Sequence, residues 1–361
     1  MTKRISMTIL AVTAAVLIAG SPGTYASSEF EELSTSDISI EGQTKLIIEG
    51  INGRLSVIGE KRDDILLKVV KKGLADDREE ADEMLSLMEV RVTRTAETIR
   101  LEAVYPKKFR TKKNIISFVI SRAPRMSMEI TLLMPEGMKL GASMASGVVN
   151  VNSLISGADI SVASGELNVR DIRGCIKAAL SSGAMEVINV DGTVVLSSAS
   201  GTIKAREISG DMEASIASGR MELSELGGGL KCSIEYGSIT VDGVGDVNFH
   251  GIAAESSFTG VRGAVDASTA SGAADFRVIP VGDANYSIIA SSGDISLIFI
   301  TRMESGYVLK AGTTSGEISI DLPIDVKKVG RNSITGVVRE GKSKVFLETA
   351  SGDIIVEESE E

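Results

Sequence analysis

The chain has no tryptophan, one histidine, two cysteines and six prolines among 361 residues, and only 4% of it is aromatic. Each scarcity removes a class of function. A sugar-stacking platform needs exposed Trp and Tyr, and too few aromatics are present to build one. His250 stands alone, with no Asp, Glu or Cys at ligand spacing, so no zinc site is expected. Phosphate loops and G-x-S-x-G elbows are missing, as is the calcium nonapeptide G-G-x-G-x-D; Gly227-Gly228-Gly229 reads as a turn. No cofactor is therefore expected. The single apolar run, Met7 to Ala19, follows Lys3 and Arg4 and precedes small residues ending at Ala26. That order reads as a secretory signal peptide, residues 1–26, and so as an exported periplasmic or cell-surface protein. An exported chain of net charge −11 is not a nucleic-acid binder.

What the chain has is a period. From Ala145 to Ile252 six blocks of eighteen residues follow one another, each opening on a small residue or Tyr and a marker residue: Gly147, Gly165, Gly183, Gly201, Gly219 and Gly237. Counted from each marker, apolar residues recur at offsets 2, 4, 7, 11, 13 and 15. In the four blocks from Gly165 to Gly219, 23 of 24 such positions are apolar and the exception is Ser198. Spacings of two are those of a strand with one buried face. A second glycine near offset 9, such as Gly174 or Gly192, splits the block. The pattern predicts an all-β, single-stranded parallel β-solenoid of about eighteen residues per coil, with inward side chains stacked into one core. Cys175 and Cys232 would then lie three coils apart, about 14 Å at the spacing of neighbouring strands, too far for a disulfide, whose Cα atoms come within about 7 Å.

Residues 27–44 read as a polar lead-in and residues 45–144 as an N-terminal solenoid and cap region. Within it Leu55 and Val57 follow Gly53 at offsets 2 and 4, and Ala81, Met84, Leu85 and Met88 form one helical stripe over about 75–88, with Asp77 and Glu80 as a capping box. This helix is expected to cover the open end of the stack. A basic loop over about 106–114 carries Lys107, Lys108, Arg110, Lys112 and Lys113 on an otherwise acidic chain, a candidate site for an anionic partner. Regular repeats run over 145–356, with markers resuming at Gly272, Gly293, Gly316 and Gly352. The interval of 36 between the last two reads as two coils with a degraded middle around Pro323 to Lys342. Residues 357–361 form an acidic tail.

In a solenoid, residues eighteen apart become neighbours, so sites should appear as columns. Offset 3 holds Asn150, Asn168, Glu186, Lys204, Glu222 and Thr240, a ladder of cross-strand pairs. Offset 6 holds Asp171, Asn189, Glu207 and Glu225, with Arg206 beside it. Glu207 and Glu225 at one-strand separation are the candidate catalytic carboxylates, because paired carboxyls a few ångströms apart can cleave glycosidic bonds; Arg206 could hold a sugar acid. A polar turn column accounts for the same residues.

The Gly50-Ile51-Asn52-Gly53 start followed by Leu55 and Val57, the helix after the second strand, the Met134-Pro135-Glu136-Gly137 strand end and the S-G-[DE]-I-x-[LIV] units at Ser292–Leu297 and Ser315–Ile320 carry a resemblance. They resemble a prokaryotic "putative adhesin" β-solenoid family of unknown function, related to the head GIN domain family, over Lys45 to Val356. The resemblance implies a cell-envelope context and brings no catalytic residues. The expected function is a non-catalytic binding or structural scaffold whose partner is an envelope protein, an anionic polymer or a membrane surface. The alternatives are a polysaccharide-acting β-helix enzyme using Glu207 and Glu225, and an element that assembles end to end.

Overall fold

The structure, a computed structural model, describes residues 15–16, 28–106, 108–110, 115–117, 126–300, 306–339 and 343–359. The described residues are mostly strand, the greater part of it in parallel pairs, with one α-helix. The chain divides into two compact units, Met1–Gly174 and Cys175–Glu361. The segment read as a signal peptide lies outside the described residues apart from Ala15 and Val16, which pair antiparallel with Phe30 and Glu29.

In the first unit, Lys45–Glu60, Lys139–Asn152 and Ala158–Arg173 run parallel with Gly53, Gly147 and Gly165 side by side. The other edge of Lys45–Glu60 pairs with Thr98–Val104 and with Met126–Pro135. Both partners come later in the chain. Antiparallel strands complete this side: Glu89–Arg94 on Thr98–Val104, and Asp64–Ala75 between Met126–Pro135 and Ser28–Ser39. The lead-in thus contains a strand. Its polar sequence is explained by cross-strand ion pairs, Lys72 Nζ to Glu31 at 2.9 Å and Lys71 Nζ to Glu32 at 3.3 Å, while Ile38 is buried. The hydrogen bond to Glu31, helped by Glu129, holds the Lys72 ammonium above its ordinary pKa against the opposing effect of burial.

The helix Arg78–Ser86 starts where Asp77 Oδ1 accepts from the Glu80 backbone N–H at 2.9 Å; Glu80 Oε2 in turn accepts from Asp76 N–H at 3.2 Å. Ala81, Met84 and Leu85 are buried, and the helix packs on Asp64–Ala75. Gly73 makes room for it, since a Cβ there would lie 2.5 Å from Met84 Cε. Lys71 Nζ donates to Leu85 O near the helix C-terminus, where a cation is favoured.

In the second unit, Ile176–Asp191, Val194–Ile208, Met212–Leu226 and Leu230–Val244 lie parallel in chain order, each residue paired with the one eighteen positions on. Val247–Val261 continues them with a seventeen-residue step. Each strand runs through its marker and bends there. A Cβ on Gly219 would meet Gly201 O at 1.9 Å, and its φ of +139° excludes an ordinary side chain. A second bend falls six residues on, where Asn189, Glu207 and Glu225 adopt left-handed φ of 55°, 58° and 54° and Gly243 and Gly260 take the equivalent place. Each bend shifts the inward set by one residue. In Ile176–Asp191 this set is Ile176, Ala178 and Leu180, then Met185 and Val187, then Val190. All 24 inward positions of the four blocks from Gly165 to Gly219 are buried, Ser198 included, because its hydroxyl donates to Ser200 O at 3.1 Å.

Beyond Val265 chain order and stacking order part. Val265–Ser271 and Ala274–Val278 are followed in the stack by Tyr286–Ser292 and Ile295–Phe299. Next come Ser343–Ser351 and Ile354–Glu358, and only then Tyr307–Ser315 and Ile318–Asp321. The end of the chain is therefore threaded between two earlier segments. The marker glycines record it: a Cβ on Gly352 would meet Gly293 O at 2.2 Å, and one on Gly316 would meet Gly352 O at 2.0 Å. The interval expected to hold a degraded coil holds instead a hairpin, Asp325–Val329 with Ser333–Val338, paired antiparallel with Tyr307–Ser315. Glu357 and Glu358 of the expected acidic tail complete the strand Ile354–Glu358.

Candidate functional site

The candidate carboxylates sit at equivalent places on neighbouring strands. Glu207 and Glu225 are both exposed and both occupy the left-handed second bend. Arg206 Nη1 pairs with Glu207 at 3.4 Å. The column is thus a column of turn residues, filled by Ser, Asp, Asn, Glu or Gly, and Glu207 and Glu225 are exposed at the corner on an open surface.

The concave part of the surface lies just before that bend. A shallow groove of about 390 Å³ crosses four strands and is lined by Glu186, Lys204, Arg206, Glu222, Thr240 and Asp242 among others. These are the outward positions three and five residues after the markers, held side by side by the parallel register. Lys204 Nζ contacts Glu222 Oε2 at 2.6 Å, and Arg220 Nη1 reaches Glu222 Oε1 at 3.7 Å. The Lys204 hydrogen bond holds the Glu222 carboxyl below the usual carboxylate range. A second hollow of about 240 Å³ carries the same face onward past Thr240 to Glu255, Ser257 and Asp275. The charge ladder was visible as a column at offset 3. Its concavity was not, since that follows from the two bends, of which only the glycine one announces itself in the sequence.

Of the basic-loop residues, Lys107, Lys112 and Lys113 lie outside the described residues. Lys108 and Arg110 belong to a short strand, Lys108–Arg110, paired antiparallel with Ile115–Ser117 in a separate two-stranded sheet. His250 lies on the outward face of Val247–Val261, with Nδ1 2.9 Å from Ser268 Oγ. Among the described residues no group of three or more His, Cys, Asp or Glu is placed to hold a metal. Cys175 is exposed and Cys232 buried, and neither forms a disulfide; burial pushes the Cys232 thiol far above its ordinary pKa.

Parallel strands stacked on marker glycines, with charged ladders on an open outer face, define a repeat-built, all-β protein. The chain belongs to the Toastrack DUF4097 family, whose profile matches residues 45–357. No match is found among curated proteins. Solved structures similar to it include a "putative cell adhesion protein" from Clostridium sporogenes, 12% identical over 91% of this chain and 99% of that one, with a TM-score of 0.22. A "putative adhesin" from Parabacteroides distasonis is 10% identical over 90% and 96%, with a TM-score of 0.29. A "putative lipid binding protein" from the same organism is 14% identical over 90% and 96%, with a TM-score of 0.25.

Proposed function

We propose that this chain is a non-catalytic, exported envelope or surface protein, built as a β-solenoid of about eighteen residues per coil and capped by the helix Arg78–Ser86, that serves as a binding or structural scaffold. The observation that carries this reading is the outer face itself. Its charged side chains stand in fixed ladders across successive strands, and its groove is open and long. Such a surface suits an extended or macromolecular partner; a small substrate is normally enclosed in a deep, mostly apolar pocket. The placing of Glu207 and Glu225 at left-handed bends supports the same reading, because the backbone geometry accounts for that column without chemistry.

On this reading the basic stretch with Lys107, Lys108, Arg110, Lys112 and Lys113 is the contact for an anionic polymer or membrane surface. The test is binding of the exported chain to isolated envelope material and to phosphatidylglycerol vesicles. Reversing Lys107, Lys108, Lys112 and Lys113 to Glu weakens both by about tenfold or more, because each lost cation removes about 1 kcal/mol of attraction to an anionic surface. Unchanged binding by the reversed chain removes this segment as the contact.

A further inference from the structure

The strand Ser28–Ser39 lies at the end of its sheet, and we infer that in the exported chain its outer edge pairs with the same strand of a second copy. Its inner edge pairs with Asp64–Ala75 over all twelve residues without a break in register. On the outer edge the described residues place only Ala15 and Val16, antiparallel to Phe30 and Glu29. Both belong to the segment read as a signal peptide. The inference therefore rests on the export reading, since removal of residues 1–26 frees that edge. An unpaired edge is a template for another strand, and proteins commonly blunt it by shortness, a proline or a bulge. Ser28–Ser39 has none of the three.

Two such edges join when a two-fold axis stands normal to the sheet beside the strand. The copies then lie edge to edge, the two strands run antiparallel, and inward side chains stay on one face of a continuous sheet. Each register is defined by the residue that meets itself on the axis. The structure points to Ser34. This residue faces inward and is 3% exposed, and its hydroxyl has no hydrogen-bond partner among the described residues. On the axis its Cβ comes about 5 Å from that of Ser34 of the second copy, a spacing at which hydroxyls pair. In the same register the half-buried Phe30 faces Ile38 of the second copy and extends the inward apolar row. The helix Arg78–Ser86 packs at the Phe30 end, so the half-turn sets the two helices at opposite ends of the joint.

On the outward face this register sets Glu29 against Ser39 of the second copy. Ser39 is where Arg94 reaches, its Nη2 donating to Ser39 Oγ at 3.4 Å. The Arg94 guanidinium otherwise contacts Glu41 at 3.6 Å through Nη1 alone, and its Nε is buried without a partner among the described residues. Glu29 has no ion pair among the described residues. A carboxylate thus arrives beside a guanidinium with donors to spare, twice in the dimer. The one like-charge meeting is Glu31 with Asp37, and Lys72 Nζ lies 2.9 Å from Glu31. Other registers lose the match. Centring on Leu33 sets Glu29 against Asp37, and centring on Thr35 sets Glu32 beside the buried Ile38. Intermediate registers set inward side chains against outward ones.

The test is sedimentation of the exported chain, with its mass measured to verify that residues 1–26 are gone. The processed chain forms a concentration-dependent dimer. A chain that keeps residues 1–26 stays monomeric, because Ala15 and Val16 hold the places of Ile38 and Ser39 of the second copy. Register is read by oxidative cross-linking in a Cys175→Ser background. Ser34→Cys links to itself; Leu33→Cys and Thr35→Cys do not link alone but link when mixed, since a disulfide needs Cα atoms within about 7 Å. Glu29→Arg, which meets Arg94, weakens the dimer about tenfold or more, and adding Arg94→Glu restores it. An unchanged melting temperature verifies that each variant is folded. A processed chain that stays monomeric at concentrations on the order of 100 µM overturns the inference alone. Self-linking by Leu33→Cys or Thr35→Cys overturns it equally. A recovered chain that still carries residues 1–26 overturns the export reading and this inference with it, so the measured mass tells the two failures apart.

Discussion

The second unit contains two ways of building the same stack. From Ile176 to Val261 each strand lies on the one before it, and contacts close loops of seventeen or eighteen residues. From Val265 to Glu358 the stack is assembled out of order: Ser351 pairs with Ser292 across 59 residues and with Ser315 across 36. Both parts share one local rule, a strand bent at a Gly whose missing Cβ makes room for the carbonyl of the neighbouring marker; Ala254, the marker of Val247–Val261, is the exception. The difference teaches that this rule specifies a stackable unit and says nothing of which unit it stacks on. The cores differ as well. The strands from Ile176 to Val244 are filled almost wholly by aliphatic side chains. The scarce aromatics begin at Phe249 and Phe258 on the last regular strand and continue into the irregular part, with Phe258 and Phe276 stacked at 4.6 Å and Phe299 between Tyr286 and Tyr307 at 5.7 and 5.2 Å. Such pairs are worth about 0.5–1.5 kcal/mol each beyond burial, and they accompany pairings with longer loops to close.

The strongest way to break the comparison is at the shared rule. Gly219→Ala puts a Cβ 1.9 Å from Gly201 O, and Gly352→Ala puts one 2.2 Å from Gly293 O, both at φ near +140°. Each should cost about 3–5 kcal/mol in urea unfolding, from the strained backbone and the displaced neighbour together. Equal costs mean that the threaded segment is held as firmly as the regular stack. A much smaller cost at Gly352 means that the threaded end yields without loss to the rest.

A middle-sized effect belongs to the threaded end alone. The Tyr286 and Tyr307 hydroxyls are buried and have no hydrogen-bond partner among the described residues. Burial pushes Tyr286 up to about 12 from an ordinary 10.0, and raises Tyr307 further, with the Glu358 carboxylate adding to it. Because the folded values lie above the unfolded ones, the stability held by the neutral phenols is fully present below pH 10 and is lost as pH rises through the folded values. Replacing both by Phe should raise stability at neutral pH by about 1–3 kcal/mol, the usual cost of an unsatisfied buried group. It should also reduce the alkaline loss between pH 10 and 12. An unchanged alkaline unfolding profile would show that these hydroxyls find partners in solution.

What was legible in the sequence follows the same division. The parallel strands, the inward positions and the helix with its Asp77 cap were readable, because burial and capping leave a mark at each residue. The threading was not. Gly316 and Gly352 do become neighbours, yet the interval of 36 suggested two coils when it holds Ile318–Asp321, a hairpin and the threaded strand Ser343–Ser351. Partner choice depends on core shape and on links such as Asp353 N–H to Asp294 Oδ1 at 2.8 Å, which leave no periodic trace. At the candidate site, the charge ladder was legible at offset 3. For Glu207 and Glu225 the sequence offered both a catalytic pair and a polar turn column; their left-handed φ was not legible, because a left-handed Glu looks like any other in sequence.

The smallest effect tests that last point in the regular part. At the second bend Glu225 has φ 54°, and the two following strands place Gly243 and Gly260 there. An L residue in this region carries about 1–2 kcal/mol of strain, while glycine adds about 0.5–1 kcal/mol of unfolded-chain entropy. Glu225→Gly should therefore be neutral or stabilising by up to about 1 kcal/mol in urea unfolding. Glu225→Val, branched at Cβ, should destabilise by a similar amount or more. If the column is a set of turns, the native chain and Glu225→Gly leave acidic polysaccharides equally intact in a reducing-end assay. Cleavage by the native chain that Glu225→Gly abolishes would return Glu207 and Glu225 to a catalytic role. A loss of stability in Glu225→Gly would show that the carboxylate, rather than the bend, is what the position selects.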